Sequence, residues 1–131
     1  MDSNQGALTA EQVAEIAAKD DFHIAPYRAD GKTFGTLTWI WVVQVDDSLY
    51  VRAYNGIKSR WYQSAISQKA GKIKAAGKEY LVAFEKVDGA ILNAIDQAYR
   101  QKYADSPYLG SMISERARAA TVKVESLLEP R

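Results

Sequence analysis

Apolar and polar residues alternate along several short stretches of the chain, which is the pattern of β-strands with one buried face. In residues 36–45 both alternating faces are largely apolar, and this predicts one long strand that is central in a sheet or lines a barrel. Asp30-Gly31 and Ala76-Gly77 lie between predicted strands as hairpin turns, so neighbouring strands should pair antiparallel. Shorter strands are predicted at residues 22–28, 49–54, 71–75, 79–87 and 121–128.

Helices are predicted from caps and from apolar side chains at three-and-four spacing. Thr9 and Gln12 have the spacing of a capping box, and Ser59 and Ser114 are candidate N-caps of later helices. The predicted helices cover part of residues 1–19, and residues 60–68, 89–103 and 114–120.

These elements predict the α+β class, because hairpins dominate the strands and helices flank them. Five or six antiparallel strands in a chain of 131 residues are typical of a small barrel or a curled sheet. The length fits a single domain over residues 1–131, in which residues 1–19 form an N-terminal helical segment.

The composition, 47% hydrophobic and 25% charged, is that of a soluble protein with one core. The chain has no cysteine and a single histidine, His23, so neither a disulfide nor a metal site is expected. Residues 1–6 are polar and do not resemble a signal peptide. The longest apolar run, residues 39–43, is far shorter than the roughly 20 residues that span a bilayer. We therefore expect a cytoplasmic protein with no membrane partner.

Basic residues are concentrated in one part of the chain, although the net charge is only +1. Seven of the 17 Lys and Arg residues lie between Arg52 and Lys78, a stretch without Asp or Glu, so the remainder is acidic overall. This distribution indicates a local anion site, whereas the low net charge argues against nucleic acid as a partner. Alternatively, Lys69, Lys72, Lys74 and Lys78 only solvate a hairpin and keep its edges from pairing.

Familiar catalytic motifs are absent from the sequence. There is no G-x-G-x-x-G and no G-x-S-x-G, and residues 71–78 differ from a P-loop in glycine spacing and in the residue after the lysine. His23 lies in an alternating strand, where a structural role is the more common one. Asp20-Asp21 and Asp46-Asp47 lie in predicted turns, so we interpret them as turn formers rather than paired catalytic carboxylates.

Residues 49–62 combine the features of a phosphate site. A strand that carries Arg52 leads through a glycine-containing loop to a helix that starts near Ser59. Helix N-termini carry unpaired N–H groups and a partial positive charge, so they favour anions. Lys58 and Arg60 add charge at the same place, and Arg suits bidentate binding of phosphate.

Aromatic residues next to this phosphate site could hold a flat ring. Trp61 and Tyr62 begin the predicted helix, and Tyr54 ends the preceding strand. Aromatic side chains of this kind line many ligand sites. The alternative is that Trp61 anchors the core and Tyr62 packs on the sheet.

Several separated segments support a resemblance to a known family. They are residues 36–43 (Thr-Leu-Thr-Trp-Ile-Trp-Val-Val), 49–52 (Leu-Tyr-Val-Arg), 59–62 (Ser-Arg-Trp-Tyr), 71–84, 94–103 and 115–121. In this order they resemble a bacterial family of uncharacterised proteins, domain of unknown function 2255, over most of the chain beyond about residue 20. The family implies no particular activity.

More distantly, the chain resembles the flavin-binding split barrels, which include pyridoxamine-phosphate-oxidase-like proteins and deazaflavin-dependent nitroreductases. The Tyr54-Asn55-Gly56 turn followed by Trp61-Tyr62 carries this resemblance. It implies a small antiparallel split β-barrel with flanking helices, a homodimer, and FMN or a deazaflavin as cofactor. The implied phosphate ligands are Arg52, Lys58, Ser59 and Arg60, and the implied ring contacts are Tyr54, Trp61 and Thr38.

The leading hypothesis is therefore a flavin- or deazaflavin-binding protein that acts as an oxidoreductase. In such a protein the cofactor performs the redox chemistry, which agrees with the lack of an obvious protein acid, base or nucleophile. The alternative is a non-enzymatic module that binds a small ligand or a protein and has lost the cofactor.

Overall fold

The computed structural model describes residues 8–126, which form seven strands and five helices. The strands are β1 (His23–Pro26), β2 (Thr38–Trp39), β3 (Val42–Val45), β4 (Ser48–Arg52), β5 (Ala70–Ala75), β6 (Lys78–Lys86) and β7 (Thr121–Ser126). The helices are α1 (Ala10–Ala18), α2 (Arg60–Gln68), α3 (Ile91–Lys102), α4 (Leu109–Met112) and α5 (Glu115–Arg118), and a 3₁₀ turn covers Gly56–Lys58. None of these helices is long and apolar enough to cross a membrane.

The strands form one antiparallel sheet in the order β2-β1-β5-β6-β7-β4-β3. Its two edge strands, β2 and β3, are consecutive in sequence and only Ile40 and Trp41 separate them. Because an extended chain advances at most about 3.6 Å per residue, the two edges must lie within about 11 Å of each other there. The sheet is therefore curled into a half-barrel. The α+β class is confirmed, while a closed split barrel stays a prediction.

The prediction of one continuous strand over residues 36–45 is wrong. The segment forms an edge strand at each side of the curl, with a break at Ile40 and Trp41. The break has a physical reason, because Trp41 leaves the sheet to stack on Tyr103, with ring centroids 3.8 Å apart. The Val42 N–H donates to the Tyr103 hydroxyl (3.3 Å) and the Val42 carbonyl accepts from Lys102 Nζ (2.7 Å). Side chains from the end of α3 thus satisfy the edge of β3.

Local signals in the sequence located the other elements well. The capping box of Thr9 and Gln12 forms both of its hydrogen bonds, and α2 covers the predicted residues with Ser59 as N-cap. Ala76 and Gly77 both have positive φ, as a tight two-residue hairpin requires. The short helix α4 was not predicted. The first seven residues of the predicted N-terminal segment and the end of the strand predicted at 121–128 lie outside the described residues.

Strand β4 carries apolar side chains on both faces, and each face packs into a different hydrophobic core. Leu49 and Val51 point into the curl, where they join a core that includes residues of α1 and α2. Tyr50 points outward into a second core, together with Ile95 and Tyr99 of α3. The outer face of β4 is therefore as buried as its inner face.

The outward-pointing Arg52 is the largest polar group in this second core, and its side chain has no exposed surface. Nε donates to Thr121 Oγ1 (3.0 Å), and Nη1 donates to Asp96 Oδ1 (2.6 Å) and to the Met112 carbonyl (3.0 Å). Nη2 donates to the Leu92 carbonyl (3.2 Å). One guanidinium group thus connects β4 to β7, α3 and α4.

The partner carboxylate, Asp96, has a second basic neighbour. Its Oδ2 lies 3.2 Å from Nε of Arg118, and Arg118 in turn donates to Asn93 Oδ1 (3.0 Å). The Asp96 side chain is only 12% exposed. Helix α5 is therefore tied to α3 through the same carboxylate.

We predict that breaking this buried pair strongly destabilises the fold. Arg52→Met leaves Arg118 as the basic neighbour that balances the charge of the Asp96 carboxylate. Asp96→Ala leaves the Arg52 guanidinium buried without its charge partner. Each change should lower the free energy of unfolding by about 3–5 kcal/mol, measured by urea denaturation.

The exposed pair of Lys72 and Glu79 is the matched control, because its atoms are 3.3 Å apart with side chains 22% and 52% exposed. Lys72→Met or Glu79→Gln should cost less than about 1 kcal/mol. Equal losses at the buried and the exposed pair would contradict the role given to Arg52.

Candidate functional site

A cavity of about 770 Å³ opens beside the segment that joins the two sheet edges. Its wall is formed by residues 38–41, the end of β4, the start of α2, the chain between α3 and α4, and Asp20. This volume lies within the range of roughly 300–1,000 Å³ that is usual for small-molecule sites. The cavity is the natural candidate for a ligand site.

Aromatic side chains dominate the cavity wall. All three tryptophans of the chain line it, together with three tyrosines: Trp39, Trp41, Trp61, Tyr54, Tyr103 and Tyr108. Trp41 and Tyr103 stack face to face with an interplanar angle of 5°, so their rings are nearly parallel. Such a wall offers flat apolar surfaces on which a planar ring can stack.

The rim of the cavity is unusually apolar for a solvent-facing surface. Trp39, Tyr54, Ile57 and Tyr108 are the large hydrophobic residues exposed among residues 8–126, at 43% to 58%. Three of them line the cavity, and Ile57 lies in the 3₁₀ turn beside it. Their concentration at one place indicates a binding surface rather than scattered exposure.

Arg116 of α5 fixes one side of this rim. Its Nε donates to the Tyr54 carbonyl (2.9 Å), and its guanidinium carbon lies 5.4 Å from the centre of the Tyr54 ring. The Tyr54 ring also meets Tyr108 edge to face at 6.2 Å. Gly56 permits this packing, because it has φ +77° and a Cβ there would lie 2.7 Å from Arg116 Cγ.

Most of the residues that the sequence predicted for a site lie on this cavity. Six of the seven line it, whereas Lys58 is exposed in the preceding 3₁₀ turn and is not part of the wall. The six are Thr38, Arg52, Tyr54, Ser59, Arg60 and Trp61.

The prediction that Arg52 holds a phosphate competes with the bonds that its guanidinium group makes within the protein. A guanidinium group has five N–H donors, and four of those of Arg52 already bond to protein acceptors. Asp96 balances its charge, and Tyr99 lies 5.3 Å from its guanidinium carbon. The geometry therefore gives Arg52 a structural role in the cavity wall, for which the sequence had no visible signal because Asp96 lies 44 residues away.

Ser59 and Arg60 are placed as the sequence suggested. Ser59 is the N-cap of α2, but its hydroxyl makes no capping bond to the helix, so it is available toward the cavity. Arg60 is exposed on the first turn and forms no ion pair within the described part of the chain. The start of α2 thus presents backbone N–H groups, a hydroxyl and a cation at one place.

The two aromatic residues that follow separate into different roles. Trp61 is half-buried, packs against the inner core and also lines the cavity, so its role as a core anchor is confirmed and its contact with a ligand ring stays a prediction. Tyr62 is buried at 5% exposure and belongs to the core. The alternative that Tyr62 packs on the sheet is confirmed.

The opposite wall of the cavity could not be predicted from the sequence. The sequence pattern predicts a turn at Asp20, yet its Oδ1 also accepts from the Tyr103 hydroxyl (3.1 Å) and its carbonyl accepts from Trp39 Nε1 (2.7 Å). These partners are 83 and 19 residues away in sequence. The aromatic residues, 11% of the sequence, were a signal that could have indicated this wall.

Lys102 supports the same wall from behind. Its Nζ donates to the carbonyls of Lys19 (2.8 Å) and Val42 (2.7 Å). Burial lowers the pKa of the Lys102 ammonium to about 8, while burial and the Asp20 carboxylate raise the pKa of the Tyr103 phenol.

The lysines of the hairpin formed by β5 and β6 lie outside the cavity wall. Lys72 and Lys74 alternate with the buried Gly71, Ile73 and Ala75, and Lys72 pairs with Glu79. Their position agrees with the simpler interpretation that they solvate the sheet.

Among residues 8–126 no group of three or more His, Asp or Glu side chains could hold a metal ion.

We predict that the stability of the protein falls as the pH rises above about 10, in part because of Tyr103. An unfolded tyrosine loses its proton near pH 10, whereas folded Tyr103 keeps it, so the unfolded state binds fewer protons there. Tyr103→Phe should flatten this loss in urea denaturation between about pH 9 and 11.

At neutral pH the same variant should lose about 1–3 kcal/mol, because the hydrogen bonds to Asp20 and Val42 disappear. Tyr54→Phe, at an exposed tyrosine, should keep the wild-type slope. An unchanged pH profile in Tyr103→Phe would contradict the assignment.

Comparison with known proteins identifies the family. The family model described as an uncharacterised protein conserved in bacteria (DUF2255) matches residues 12–124. Neither a curated protein nor a solved structure matches the chain. The matched region includes the whole cavity wall, from Asp20 to Met112. The chain belongs to the DUF2255 family of bacterial proteins.

Proposed function

We propose that this protein binds a planar, phosphate-bearing heteroaromatic cofactor, of which FMN and deazaflavins are the leading candidates. The observation that carries the proposal is the cavity of about 770 Å³, with six aromatic side chains and the start of α2 in its wall. Stacking on aromatic faces favours a flat ring, and a helix N-terminus favours an anion.

The residues present fit such a group at both of its ends. The ring would lie among the aromatic side chains, with Thr38, Tyr54 and Trp61 among its contacts. The phosphate would bind at the start of α2, where Ser59 offers a hydroxyl and Arg60 a cation without a competing carboxylate within the described residues. Lys58, one residue before the cap, adds positive charge from outside the wall.

A bound flavin supplies electron or hydride transfer, and the protein would supply binding, orientation and exclusion of water. The apolar wall lowers the local dielectric around the ring, which strengthens any polar contact made there. We propose an oxidoreductase on this basis, and the homodimer and the cytoplasmic location remain part of the same proposal.

The test compares two ligands that differ only in the phosphate. Wild-type protein should bind FMN with micromolar affinity or better in a fluorescence titration, and riboflavin about tenfold more weakly or worse, because riboflavin has no phosphate. Arg60→Gln should weaken FMN binding several-fold and leave riboflavin binding unchanged, since it removes one cation at the phosphate and leaves the aromatic wall intact.

Arg100→Gln is the matched control, because Arg100 is exposed on α3 and does not line the cavity. It should bind both flavins as the wild type does. Arg52 is unsuited to this test, since its loss would remove a buried ion pair. If neither flavin nor a deazaflavin binds to the wild type, the proposal is wrong.

The apolar rim favours a second candidate function, a non-enzymatic module that binds another protein. Trp39, Tyr54, Ile57 and Tyr108 present aromatic and aliphatic surface of the kind found at interface hot spots. Two results together would favour this function. The wild-type protein would bind no flavin, and it would form a complex, with a second copy or with a different protein, that Tyr108→Ser disrupts.

A further inference from the structure

Asp20 is the one carboxylate in the cavity wall, whose other side chains are aromatic, apolar, neutral polar or cationic. Two residues of that wall hold it in place, Tyr103 through the carboxylate and Trp39 through the backbone carbonyl. Lys102 also fixes the preceding carbonyl, that of Lys19. The carboxylate is therefore positioned by the side chains against which a ligand would stack.

Its capacity to accept hydrogen bonds is largely unused. A carboxylate has about four acceptor positions, and within residues 8–126 the Asp20 side chain accepts from the Tyr103 hydroxyl alone. A ligand that covers this carboxylate must replace the water it displaces with a donor, or the contact costs free energy. A ring with an N–H at its edge meets this requirement.

The surroundings favour a neutral donor over a cation. The Lys102 ammonium donates to the carbonyl next to Asp20, so a positive charge already stands beside the carboxylate. Arg60 places a second positive charge on the cavity wall. Both charges would repel a cationic ligand, whereas a neutral ring N–H carries no net charge and is not repelled in this way.

We infer that Asp20, held by Tyr103, accepts a hydrogen bond from a ring N–H of the bound ligand. The expected ligands are therefore planar heteroaromatic molecules with an N–H donor at the edge of the ring and a phosphate on a substituent of the ring. This inference rests on the proposed function, since it assigns a contact to the same ligand. Flavins and deazaflavins qualify through the N3–H of their pyrimidine ring.

The experiment compares FMN with 3-methyl-FMN, in which a methyl group replaces the N3 proton and the phosphate is unchanged. Wild-type protein should bind FMN at least about tenfold more tightly, the value expected for one hydrogen bond to a charged acceptor. Asp20→Ala should bind the two ligands within about twofold of each other. The ratio of two affinities in one variant does not depend on the fraction of protein that is folded.

Asp88→Ala is the control for the loss of one negative charge, because Asp88 is exposed and does not line the cavity. It should keep the tenfold preference. If FMN binds but wild type does not prefer it, or if Asp20→Ala keeps the preference, the role of Asp20 is refuted while the proposed function stands. If neither FMN nor 3-methyl-FMN binds, both fail.

Discussion

The buried guanidinium of Arg52 is the contact on which the arrangement of the helices over the sheet depends. It bonds to acceptors on β7, α3 and α4 from the outer face of β4, and its partner Asp96 extends the connection to Arg118 of α5. A buried charge requires several such partners, because an unmet donor or an unbalanced charge there is costly. With α3 fixed in this way, Lys102 and Tyr103 at its end reach the edge of β3.

The cavity follows from how the curled sheet ends. The chain passes from one sheet edge to the other through Ile40 and Trp41, and the backbone of Val42 is satisfied by α3 rather than by another strand. Trp41 consequently leaves the sheet and, together with Trp39 at the end of β2, becomes part of the cavity wall. The same break that interrupts the strand therefore creates the aromatic surface that a ligand would use.

Local patterns in the sequence predicted much of the fold and one wall of the site. The span of α2, the cap at Ser59 and the hairpin turn at Ala76 and Gly77 depend on neighbouring residues, and each agrees with the structure. The other wall could not be predicted, because Asp20 and Tyr103 meet across 83 residues and Arg52 and Asp96 across 44. In sequence, an arginine that precedes a helix N-terminus looks the same whether its side chain faces a bound phosphate or a buried carboxylate of the protein. Only the packing of α3 decides between the two.

The most direct test of the account is a crystal structure of the protein grown with FMN. We expect the flavin ring between the aromatic side chains of the cavity, with its phosphate at Ser59 and Arg60 and its pyrimidine edge at Asp20. Arg52 should keep its bonds to Asp96 and Thr121 and should not contact the ligand phosphate. A flavin bound elsewhere, or a cavity that stays without FMN at saturating concentration, would contradict flavin binding at this site.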